Sequence, residues 1–130
     1  MKIFDSKEGL WSTKVNFVDQ NNLLVGFDTT QCCCENADWF ISTEREYTDS
    51  PSNAVDTTQD FSAYVFDPTF FDQTGGDPRC FGSGGIAVFR LTAEGVPDLY
   101  LHLFNVHNGY YAHGFSMKDA NGNLIQAGDL

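Results

Sequence analysis

No window of this chain places apolar residues at i, i+3, i+4 and i+7 with polar residues between them. Gly, Asn, Asp and Thr interrupt every stretch that starts such a pattern. A helix reaches a core through one apolar stripe, so a chain without it must build its core from strands. Strand signals do recur. Lys14 to Val18 alternates, with Val15 and Phe17 on one face, and Asp19-Gln20-Asn21-Asn22 is turn chemistry. Asn and Asp tolerate left-handed backbone and bond their own amides. Leu23 to Phe27 then returns, which predicts a hairpin over 14–28. Trp39 to Ser42, Phe61 to Phe66 and Ile86 to Leu91 are further strand-sized runs. Irregular stretches at 48–60 and 67–85 and a turn at 92–98 separate them.

The last third of the chain gives the most explicit expectation. Leu99 to Val106 and Tyr110 to Met117 flank Asn108-Gly109, a strong two-residue hairpin signal. Pairing about that turn sets Phe104 against His113 and His102 against Phe115, on one face with Tyr100 and Met117. Leu99, Leu101 and Leu103 fall on the other. The turn Asp119-Ala120-Asn121-Gly122-Asn123, read as a three-residue loop ending in a left-handed glycine, sets Met117 against Ile125 and Phe115 against Ala127. A two-residue loop would set Met117 against Gln126, and the apolar pattern favours the first. The expectation is an all-β fold with eight or nine strands: an antiparallel β-sandwich or partly open barrel with a C-terminal three-stranded meander. Residues 1–130 form a single domain on length alone.

Composition narrows the function classes. Hydrophobic residues are 42% and charged residues 19% of the chain, which excludes disorder as the default state. No apolar run approaches the ~20 residues of a membrane span, and Met1-Lys2-Ile3-Phe4-Asp5 lacks the apolar core of a secretory signal. No membrane association is expected. The net charge of −11 argues against nucleic-acid binding by direct phosphate contact, which needs clustered Lys and Arg. A protein partner, a small molecule or a metal remains, and homo-oligomerisation is left open. Three consecutive cysteines, Cys32, Cys33 and Cys34, with Cys80 apart, make a poor disulfide framework. Reduced thiols, at least one of them buried, and a cytoplasmic location follow.

The histidines are the first candidates for chemistry. His102 and His113 would be diagonal neighbours on the hairpin, about 7–8 Å apart at the backbone and within joint reach of one ion. Cys34 or Glu35 could complete a zinc site with them. The paired C-x₂-C spacing of structural zinc is missing, so the preferred reading packs both rings among Phe and Tyr, each bonded to a carbonyl or hydroxyl. The cysteine triplet has no basic neighbour in sequence to lower a thiol pKa, and Glu35 and Asp38 would raise it, so burial outweighs nucleophilic use. A Cys–His–Asn set can be written with Asn105, on a weak signal. Asp49, Asp56, Asp60, Asp67, Asp72 and Asp77 could wrap calcium but lack the EF-hand register, and they read as solvated loop acids. Gly82-Ser83-Gly84-Gly85 precedes a strand, so it reads as a flexible turn and not a phosphate cradle.

The run Thr30-Gln31-Cys32-Cys33-Cys34-Glu35-Asn36-Ala37-Asp38-Trp39, after a Val/Leu hairpin, resembles a family of short uncharacterised bacterial and phage domains with a Gln-Asp-Cys-Cys-Glu motif. Cys33-Cys34-Glu35 matches its Cys-Cys-Glu, and Cys32 stands where the family has Asp. The segment Tyr100 to Phe115 is similar to the closing hairpin of some members. The resemblance implies an all-β fold and no assigned activity. Taken together, the residues point to a small acidic non-enzymatic binding or accessory domain of bacterial or phage origin. The alternative is a small metal-dependent or thiol enzyme centred on His102, His113 and the Cys32–Cys34 triplet. An acidic decoy for a basic groove is a weaker third reading, since the acids lie scattered through loops.

Overall fold

The computed structural model describes residues 1–31, 36–47, 53–75, 84–106 and 112–130. Among them are ten strands and no helix: β1 (Lys2–Glu8), β2 (Ser12–Val18), β3 (Leu24–Asp28), β4 (Asn36–Ser42), β5 (Val65–Phe66), β6 (Asp72–Gly75), β7 (Gly84–Thr92), β8 (Leu99–Val106), β9 (Gly114–Lys118) and β10 (Leu124–Asp129). The first sheet runs β1-β2-β3-β9-β10, and the second runs β4-β8-β7-β5 with β6 also paired to β7. All pairings are antiparallel. The two sheets pack face to face as a sandwich and do not close into a barrel. No helix among the described residues is long and apolar enough to cross a membrane.

The hairpin expected over 14–28 is β2–β3, and its turn works by the chemistry read from the sequence. Asp19 Oδ1 accepts the Asn21 and Leu23 amides, each at 2.9 Å, and Asn22 takes a φ of 59°. The β9–β10 turn repeats the device: Asp119 Oδ1 accepts the Asn121 and Asn123 amides at 2.9 Å, and Gly122 holds a φ of 80°. Several elements differ from expectation. β1 is an additional edge strand, mostly exposed, so its sequence carries little apolar alternation to betray it. Only Val65–Phe66 of the run 61–66 pairs, because Tyr64 N donates to Phe61 O and turns the chain first. Gly84 and Gly85 belong to β7, and Asp72–Gly75 pairs with it as β6.

The three-stranded meander does not form. β8 lies between β4 and β7 in the second sheet, whereas β9 lies between β3 and β10 in the first. Both strands are interior, with both hydrogen-bonding edges occupied. The physical reason is visible in the side chains. A β8–β9 hairpin would put Leu99, Leu101 and Leu103 on the face opposite Phe115 and Met117, leaving two apolar faces to cover. Crossing between sheets lets all five point into one core, where each is at most 5% exposed. The Asn108-Gly109 turn itself lies outside the described residues. Register in β9–β10 also departs from expectation: Met117 faces Gln126 and Phe115 faces Gly128, with an irregularity at Ile125. A β-carbon at Gly128 would fall 2.9 Å from the Phe115 ring, so the ring occupies the space glycine leaves.

The core joins the sheets through aromatic contacts. Phe89 of β7 meets Phe115 of β9 at 6.0 Å, and Phe71 touches both at 5.4 and 5.7 Å. Phe17 of β2 meets Trp39 of β4 edge-on at 5.0 Å. A polar tie supplements them. The second carboxylate oxygen of Asp19 accepts the Phe66 amide of β5 at 2.9 Å, linking the β2–β3 turn to the opposite sheet. At the other end Leu130 pairs with His113 through two backbone bonds, its carbonyl accepts Asn105 Nδ2 at 3.1 Å, and its side chain packs on Gly85.

Candidate functional site

His102 and His113 are on different sheets and face different surroundings. Strand alternation turns Leu101 and Leu103 of β8 into the core and His102 outward, beneath the segment that follows β4. There His102 stacks on Phe40 at 4.5 Å and 12°, beside Tyr47, and Nε2 donates to the Glu44 carbonyl at 2.9 Å. A carbonyl only accepts, so the proton is on Nε2. Nδ1 is then a bare acceptor, buried and without a partner among the described residues. His113 precedes β9 with the parity of Phe115 and Met117, on the inner side of the first sheet. Its Nδ1 donates to the Asp28 carbonyl at 2.8 Å, and the Asp28 carboxylate is 3.8 Å away. The hairpin that would have brought the two imidazoles into joint reach of one ion is absent, and the argument for pairing them goes with it. Cys32, Cys33, Cys34, Glu35 and Cys80 lie outside the described residues, and with them all of the motif behind the family resemblance except Gln31. Among the described residues no three His, Cys, Asp or Glu groups are placed to hold a metal.

Burial pushes the His102 imidazole below its ordinary value of 6.5, against the Glu44 carbonyl and the Glu46 carboxylate, which pull it up. The unfolded chain therefore takes up this proton first as pH falls, and stability is intact above about pH 6.5 and declines below it. Protonation also puts an N–H on Nδ1, where none of the described residues offers an acceptor. Urea midpoints should fall between about pH 7 and 5.5, a window in which carboxylates stay ionised. His102→Phe should remove most of that decline; an equal slope in the variant would show that another group is responsible.

The loop acids are occupied with their own turns. Asp56 and Asp60 each accept an amide and a hydroxyl from the residue two positions on. The Thr69 hydroxyl, the Arg90 guanidinium and the Thr69 amide hold Asp67 well below the carboxylate range, at about 2. Arg45 pairs with Asp72 at 2.9 Å, and Arg45 and Arg90 flank the Phe70 ring at 5.2 and 4.8 Å. These two guanidiniums are thus already neutralised. Asp49 and Asp77 lie outside the described residues.

The outer face of the first sheet is different. A trough of about 370 Å³ crosses it from the turn end of the β1–β2 hairpin to β10. Its outward-facing floor positions are Gly26 on the central strand β3 and Gly114 and Ser116 on β9. Lys14 reaches over Gly26, with Nζ 3.0 Å from where a β-carbon would stand. Glu8, Asp28 and Asp129 supply carboxylates around it. Among the described residues the side chains of Glu8, Lys14, Ser116 and Asp129 make no hydrogen bond or ion pair. Glycine in mid-strand weakens a sheet, and it marks places where something approaches the backbone closely. At the trough's end the hairpin tip, Gly9-Leu10-Trp11, leaves Leu10 89% and Trp11 86% exposed. No family model, curated protein or solved structure matches the chain. The sequence marks this site only by Gly26 inside an alternating strand and by an apolar Leu10-Trp11 pair directly after a glycine.

Proposed function

We propose that this protein is a small acidic, non-enzymatic binding domain that takes its ligand on the outer face of the first sheet. The observation that carries the reading is the trough over Gly26, where an ammonium and carboxylates stand unpaired beside a glycine floor. Among the described residues elsewhere, His102 and His113 each bond a carbonyl, and Asp67 bonds Thr69 and Arg90. In small-ligand sites a few convergent polar groups on a concave surface fix the ligand's orientation. The test is a screen of small polar fragments against isotopically labelled protein by amide chemical shifts. Hits should move Gly26, Asp28, Gly114 and Ser116, and Gly26→Val should abolish them. A β-carbon there crowds only the flexible end of Lys14 and meets Asn16 Oδ1 at an ordinary 3.7 Å, so the fold should survive the variant. Hits that cluster around His102 and Phe40, or turnover of a fragment, would overturn the reading.

A further inference from the structure

We infer that the ligand of this trough is a neutral oligosaccharide, with Trp11 as its stacking platform; the inference rests on the binding reading above. Three observations favour this class. First, the trough interleaves an unpaired donor, Lys14, with unpaired acceptors, Glu8 and Asp129, and with the Ser116 hydroxyl. A simple anion would meet the carboxylates, and a simple cation would meet the Lys14 ammonium. A sugar hydroxyl both donates and accepts, so a row of hydroxyls can bond both the ammonium and the carboxylates without bringing a like charge against either. Second, the exposed Trp11 stands at the tip between Glu8 and Ser12, both of which line the trough. The face of an indole is electron-rich, and the axial C–H bonds of a pyranose present a matching positive, apolar face. Trp11 directly precedes the lining residue Ser12 and is 86% exposed, so its faces are open to a sugar ring that extends past the trough's end. Third, the trough lies open on a sheet face and spans the strands, which suits a chain of rings more than an enclosed cofactor.

The test uses the full chain and four neutral hexasaccharides: cellohexaose, maltohexaose, chitohexaose and mannohexaose. At least one should shift the amides of Gly26, Gly114 and Ser116 saturably, and should move the tryptophan emission to shorter wavelength. The protein has two tryptophans, and Trp39 is packed on Phe17, so Trp39 reports the fold while Trp11 reports the ligand. Trp11→Ala should weaken binding at least about tenfold with an unchanged thermal transition, and Gly26→Val should abolish it. Oligogalacturonate, carrying a carboxylate on each ring, should bind more weakly than the neutral chains. If fragments occupy the trough but none of the hexasaccharides do, the binding reading stands and the sugar inference falls. If neither fragments nor sugars move the trough amides, both fall. Phosphatidylcholine vesicles that shift Trp11 emission while every hexasaccharide leaves it unmoved would overturn the inference in favour of a lipid surface.

Discussion

Truncating Phe89 to alanine should cost about 3–5 kcal/mol, because the void it leaves is bounded by rigid groups from both sheets. The ring is fully buried and touches Phe66, Phe71 and Phe115 at centroid distances of 6.4, 5.4 and 6.0 Å. Phe115 is itself wedged against Gly128 and cannot slide in to fill the space without breaking the β9–β10 register. Poor collapse places the expected loss toward the upper part of the range. Phe115→Ala should behave similarly, and the double variant should lose less than the two single losses added together, since each removes contacts the other shares. Chemical denaturation with a constant denaturant slope would measure all three. A loss for Phe89→Ala below about 1 kcal/mol would mean that the inter-sheet knot is not what holds the layers.

The local features of this fold were readable from the residues and the long-range ones were not. The β2–β3 hairpin, the Asp119 turn and the division of β8 into a Leu face and a His102/Phe104 face follow from alternation and from side chains that bond their own backbone. The neighbour of β8 does not follow. Asn108-Gly109 is a signal between adjacent residues, and it competes with the burial of five large side chains whose positions depend on which sheet each strand joins. Burial decides the topology. β1 escaped notice because an edge strand with Lys2, Asp5, Lys7 and Glu8 has little apolar face, a composition that also discourages edge-to-edge pairing. The candidate site was unreadable for a related reason. Lys14 and Asp129 are far apart in sequence and line one trough only because β3 and β9 pair at the middle of the first sheet. His102 and His113 each bond a carbonyl, one of the partners expected for those rings, though through a different strand arrangement.

Asp19 and Asp119 make the same turn in different surroundings, and that difference sets the second large effect. Asp19 is 4% exposed, and its carboxylate accepts the amides of Asn21 and Leu23 in its own turn and of Phe66 in the opposite sheet. Hydrogen bonds to a charged group contribute about 1.5–3 kcal/mol, and a buried donor left without a partner costs about 1–3 kcal/mol. Asp19→Ala orphans the Leu23 and Phe66 amides where water does not easily replace the oxygen, so a loss of about 3–4 kcal/mol is expected. Asp19→Asn keeps one acceptor oxygen and should fall between, because its amide nitrogen must face either the turn or Phe66. Asp119→Ala removes a matching pair of turn bonds at an exposed corner, where water can take them up, and its loss should be clearly smaller. Denaturation of the three variants separates the turn from the tie between sheets. Equal losses for Asp19→Ala and Asp119→Ala would show that the bond to Phe66 adds nothing. The packing of the Phe66 ring on Phe89 would then be what anchors β5.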